Sequence, residues 1–226
     1  MLRTLFKSGF SAETFISLGA VLITILISLT VHECAHGYVA HLCGDNTARN
    51  LGRLTLNPLA HLDPIGTVMM LLFGFGYAKP VPVNSRYFKH FKRDLAFVSL
   101  AGPASNILLA FLMEILFRLS YHLLPVTALI SVPFFVWNIF RMYFVSLNVG
   151  LAVFNLLPLP PLDGSRIVSV LLPPKAAYNY LKYERYIMIA VLALLYLGVL
   201  DGVLTFLRNG VMDGMKFLLD LTPLKL

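Results

Sequence analysis

Thr14–His32 and Met142–Leu162 contain no Asp, Glu, Lys or Arg, Leu95–Phe117 contains only Glu114, and Tyr186–Leu207 only Asp201. An α-helix rises about 1.5 Å per residue, so roughly 20 apolar residues cross the ~30 Å hydrocarbon core of a bilayer. Such runs predict an all-α membrane protein, a polytopic transmembrane helix bundle. Composition agrees: 58% of the 226 residues are hydrophobic, 13% are charged, and the mean hydropathy is +0.78. A disordered or water-soluble globular chain is excluded.

The N-terminus carries Arg3 and Lys7 ahead of the apolar Phe15–Val31, which resembles a signal peptide. No small-x-small cleavage site follows, and the run leads into a polar cluster, so it is read as a retained span. Pro64–Ala78 is apolar but too short for a comfortable crossing and is expected to be re-entrant or interfacial. Arg53–Asn57 and Ala78–Asn84 alternate in polarity, and prolines at 80 and 82 suit edge strands, so a short β-hairpin is expected beside it. Pro125–Phe140 is taken as an extension of the span over 142–162 or as an interfacial segment. Glu114 is expected to pair with Arg118 at i,i+4. The tail places Val211, Met212, Met215, Leu218 and Leu219 on one helical face, as in a helix lying on a membrane surface. Cys34 and Cys43, nine residues apart on one helix, are about 13 Å apart and do not bridge. The whole chain, 1–226, reads as a single membrane-embedded domain, with a core over about 15–170 and a further span and tail over 183–226.

Chemistry concentrates at His32-Glu33-Cys34-Ala35-His36. On a helix, i and i+4 share a face, so His32 and His36 can reach one Zn²⁺, and Glu33 can sit beside it as a base. Histidine and glutamate within a span are costly and usually functional. A catalytic zinc needs a third protein ligand. The best candidate is Asp163, in Asn155-Leu-Leu-Pro-Leu-Pro-Pro-Leu-Asp163-Gly164 after a proline-broken span, with His61 and Asp63 as rivals. Topology supports Asp163. If 95–117 returns across the membrane and 142–157 crosses again, Asp163 emerges on the face where His32 and His36 lie.

Orientation follows from the basic residues. Eleven of the 18 Lys and Arg lie in 43–94 and 158–185, on the face of the expected site. The positive-inside rule then turns that face to the cytoplasm of a multi-pass cell-membrane protein. Orientation accounts for most of the +7 net charge, and no motif supports nucleic-acid binding.

Together the two motifs resemble the site-2 protease family of intramembrane zinc metalloproteases, in its short form without PDZ or CBS domains. The second motif matches at Asn155, Pro158, Pro160, Asp163 and Gly164. Gly-Pro-Ala-Ser-Asn at 102–106, Leu-Asn-Pro-Leu-Ala-His at 56–61 and Ala-Lys-Pro-Val-Pro-Val at 78–83 are similar to the short members. The resemblance implies one Zn²⁺ per chain held by His32, His36 and Asp163, and Glu33 as general base. It implies transmembrane proteins or peptides in the lipid bilayer as substrates. Asn155 would bind substrate backbone or oxyanion, against the alternative of an interhelical hydrogen bond. Two other functions fit a bundle with broken helices, a transporter and a catalytically silent binder of membrane segments. The lack of an inverted repeat counts against the first, and the complete set of ligands and base against the second.

Overall fold

The computed structural model describes residues 11–63, 66 and 79–224. The expected re-entrant segment, apart from Gly66, and the basic residues Arg3 and Lys7 lie outside the described residues. Among the described residues three single helices are long and apolar enough to cross a membrane: α1 (Ala12–Leu42), α2 (Phe91–Leu123) and α3 (Val132–Asn155). The chain is a multi-pass helical membrane protein.

α1 starts at Ser11, whose hydroxyl caps Thr14 N, and ends just before Gly44, at φ +112°. Its inward side is small and polar, with Ala20, Thr24, Ser28, Thr30 and His32 buried, while Leu22, Ile23 and Ile27 are exposed. That is inverted relative to a water-soluble helix, as expected when lipid is the solvent and small residues let helices approach. Thr24 and Thr30 donate to carbonyls one turn back, at 2.7 and 2.6 Å, so their hydroxyls are satisfied within the helix.

Cross-helix pairs fix the directions. His32 meets Asn106 and His36 meets Val98, so α1 and α2 are antiparallel. Asn106 meets Asn148 and Ser120 meets Trp137, so α2 and α3 are antiparallel too. Pro133 sits in the first turn of α3, where its missing N–H leaves no helical bond unmade. Residues 132–140 are therefore part of one continuous span, preceded by a single helical turn at Val126–Leu129.

The expected Glu114–Arg118 pair does not form. Arg141 of α3 binds Glu114 at 2.8 Å, and Arg118 binds Asp220 at 2.6 Å. Between packed helices, a partner on the neighbouring helix removes both charges from lipid more completely than a pair on one helix face.

Beyond α3 the prolines at 158, 160 and 161 break the helix, and α4 (Asp163–Leu171) and α5 (Pro174–Lys182) follow. Tyr186–Leu207, read as one span, is two helices, α6 (Glu184–Tyr196) and α7 (Asp201–Asp220), bent by 86°. Gly198, at φ +73°, lies at the bend, a conformation that favours glycine. Asp201 is the first residue of α7, just after the bend. Most of the apolar side of α7 packs on its neighbours, with Leu218 left exposed. Leu204, Val211, Met212 and Met215 pack on Ala110, Met113, Phe144, Val145 and Val149 of α2 and α3.

Among the described residues there is no strand. The expected hairpin edges at 53–57 and 79–84 lie outside any strand and are joined by Arg53, whose guanidinium donates to the carbonyls of Lys79 (2.9 Å) and Pro80 (3.3 Å). Side-chain lacing replaces the expected backbone ladder.

Candidate metal centre

His32 and His36 lie one turn apart on α1, with Nε2 atoms 3.0 Å from each other. Asp163 reaches them from the start of α4, its Oδ2 3.3 Å from both Nε2 atoms. Among the described residues these are the one His/Cys/Asp/Glu group whose donor atoms all fall within 4.8 Å. Asp163 joins the histidines as topology predicts. The rivals do not: His61 is buried with Nε2 on Thr55 O at 2.8 Å, and Asp63 Oδ1 accepts from Gly66 N at 2.9 Å.

Each histidine is held by its other nitrogen. His32 Nδ1 donates to Asn106 Oδ1 at 2.6 Å, and His36 Nδ1 donates to Val98 O at 2.6 Å. Both bonds place the hydrogen on Nδ1 and leave an Nε2 lone pair facing the shared space, the arrangement of metal-binding histidines. Asp163 Oδ2 is buried without a hydrogen-bond partner. An orphaned carboxylate oxygen facing two imidazole lone pairs is a donor set that fits a zinc ion.

Two glycines make room for this cluster. A Cβ on Gly102 of α2 would lie 2.5 Å from His32 Nε2 and closer still to His36 Nε2. A Cβ on Gly164 would collide with the carbonyls of Leu156 and Leu157, so glycine lets α4 tuck under the end of α3 and carry Asp163 inward.

Glu33 sits outside the three-residue cluster and accepts from the amide of Val81 at 2.8 Å. The 79–84 segment that supplies this amide is anchored by buried Asp45, which accepts from Asn84 N at 2.6 Å and from Thr47 N at 2.9 Å. Leu54 and Val81 press on Gly37, where a Cβ would come within 2.7 and 2.8 Å of them. Asn155 does not make the interhelical bond weighed from sequence, because its Nδ2 donates at 3.0 Å to Leu151 O of its own helix.

Sequence reasoning missed two residues. Asn106 entered only as part of a resembling pentapeptide, and Asn148 was not singled out. Both are fully buried and hydrogen-bonded to each other at 2.9 Å. The available signal was an amide inside an otherwise apolar span.

Residues 124–198 match the family model described as Peptidase family M50. The chain is 45% identical over 174 residues to the "Putative zinc metalloprotease YwhC" of Bacillus subtilis, covering 77% of this chain and 78% of that protein. It is 35% identical over 147 residues to the "Putative zinc metalloprotease Rip2" of Mycolicibacterium smegmatis, covering 62% and 52% of the two chains. To the Rip2 of Mycobacterium tuberculosis H37Rv it is 29% identical over 183 residues, covering 78% and 66%. No solved structure matches the chain. With a relative this similar along most of both lengths, the chain belongs to peptidase family M50, the site-2 proteases.

Proposed function

We propose that this peptidase is a zinc enzyme that hydrolyses peptide bonds in or near transmembrane segments of other membrane proteins. The observation that carries the reading is the convergence of His32, His36 and Asp163 at the buried junction of α1 and α4 against α2. These three residues would hold one zinc per chain, consistent with the names of the relatives. When bound, the ion supplies a Lewis acid that polarises a scissile carbonyl and acidifies water.

The protein's own residues do the rest. Glu33, held by Val81 N, accepts the proton of the attacking water and returns it to the leaving amine. Asn106 and Val98 O keep both imidazoles in the ligating tautomer. Asn155, at the last turn of α3, gives one Nδ2 hydrogen to Leu151 O and keeps a second for substrate. A transmembrane substrate hides its peptide bonds in helical hydrogen bonds, so it must unwind locally before cleavage. His32 lies 20 residues into α1, about 30 Å along it, so the site sits near one membrane face. The surplus of Lys and Arg on that face supports a cytoplasmic orientation in the cell membrane.

The test is cleavage of a single-span peptide by the purified protein in lipid vesicles, with the cut mapped by mass spectrometry. The reading predicts cleavage in or beside the apolar segment, lost with a chelator and restored by zinc. Equally fast cleavage of soluble, flexible peptides would overturn the intramembrane assignment.

A further inference from the structure

Asn106 and Asn148 are fully buried in α2 and α3, and their hydrogen bonds determine which way each amide faces. Asn148 lies 2.8 Å from Phe144 O. A backbone carbonyl only accepts, so the NH₂ end of Asn148 must face it and Oδ1 must face away. There Oδ1 accepts from Asn106 Nδ2 at 2.9 Å. That bond in turn directs Asn106 Oδ1 towards His32, 2.6 Å from Nδ1, which must carry the hydrogen. Nε2 is left as a lone pair facing His36 and Asp163. One carbonyl on α3 thus fixes, through two amides, the tautomer of a histidine on α1. His36 needs no such relay, because its Nδ1 meets the backbone carbonyl of Val98 directly.

We infer that Asn148 is a positioning residue: through Asn106 it holds His32 in the Nδ1–H tautomer and so sets the zinc affinity of a site it does not touch. The inference rests on the zinc reading above. Removing the Asn148 amide frees Asn106 to turn over and present its NH₂ to His32. That orientation favours the opposite tautomer, whose Nε2–H cannot ligate.

The test is a comparison of zinc affinities, measured on the full chain in detergent by competition with a chromophoric chelator. Asn148→Leu is made in the parent and in an Asn106→Asp background. A carboxylate accepts on either oxygen and needs nothing to orient it. The expected result is affinity about 10- to 100-fold weaker in the parent background and not weakened by Asn148→Leu in the Asn106→Asp background. The Co²⁺-loaded protein should show an altered ligand-field spectrum only in the first case. Asn148→Ser, too short to reach Asn106, should give the same pattern and serves if the leucine variant fails to fold. Equal loss in both backgrounds, or no loss in the parent, overturns the inference. If the parent itself binds no zinc, the metal reading falls and this inference with it.

Discussion

The amide of Val81 donates a 2.8 Å hydrogen bond to Glu33 Oε2, which ties the residue between the two histidines to a segment 48 positions away. The carboxylate proposed as the base is therefore oriented by the loop that precedes α2 as well as by its own helix. Val81→Pro removes the donor. A hydrogen bond to a charged group contributes about 1.5–3 kcal/mol, so turnover should fall roughly 10- to 100-fold. Zinc content should stay at the parent level, and Val81→Ala, which keeps the amide, should lose far less. Assays of cleavage and bound metal on the same preparations check this.

Gly102→Ala places a methyl 2.5 Å from His32 Nε2, inside the space the two imidazoles share. Zinc affinity should fall by about tenfold or more, a loss on the scale of those around metal sites. The expected contrast is Gly150→Ala on α3, where a Cβ meets nothing within 4 Å. Competition with a chelator measures both.

Asp163→Ala should weaken zinc binding sharply, whereas His61→Ala should keep its stoichiometry. The first removes an oxygen 3.3 Å from both histidines, and the second a side chain bonded to Thr55 O instead. Metal analysis after gel filtration separates the two.

Legibility in the sequence followed the range of the interactions. His32 and His36 were visible because the helix alone puts i and i+4 on one face. Asp163 was reachable because membrane crossings restrict which ends of spans can meet. Asn148 was not, since its role depends on a neighbour on α2 that no periodicity identifies. Glu114 was assigned to the local partner Arg118, whereas packing supplied Arg141 from α3. Hydropathy alone carried one span through Tyr186–Leu207, although Gly198 turns the chain there.

That Glu114–Arg141 contact gives a stability prediction. Glu114→Ala leaves Arg141, stacked 4.2 Å above the Phe117 ring, without its carboxylate between two spans. With 26% and 15% of the two side chains exposed, the loss should fall below the roughly 3–5 kcal/mol of a fully buried pair. Asp220→Ala strands Arg118, only 7% exposed against 26% for Arg141, and should cost more. Thermal unfolding in detergent should show Asp220→Ala as the less stable of the two.

The central claim is that His32, His36 and Asp163 hold a zinc ion beside which Glu33 acts as a base without being a ligand. The most direct measurement is zinc content and transmembrane-peptide cleavage, made together on the parent and on Glu33→Gln. The account predicts about one zinc per chain in both proteins and cleavage only in the parent. Cleavage that survives in Glu33→Gln would contradict it, and so would loss of the metal from that variant.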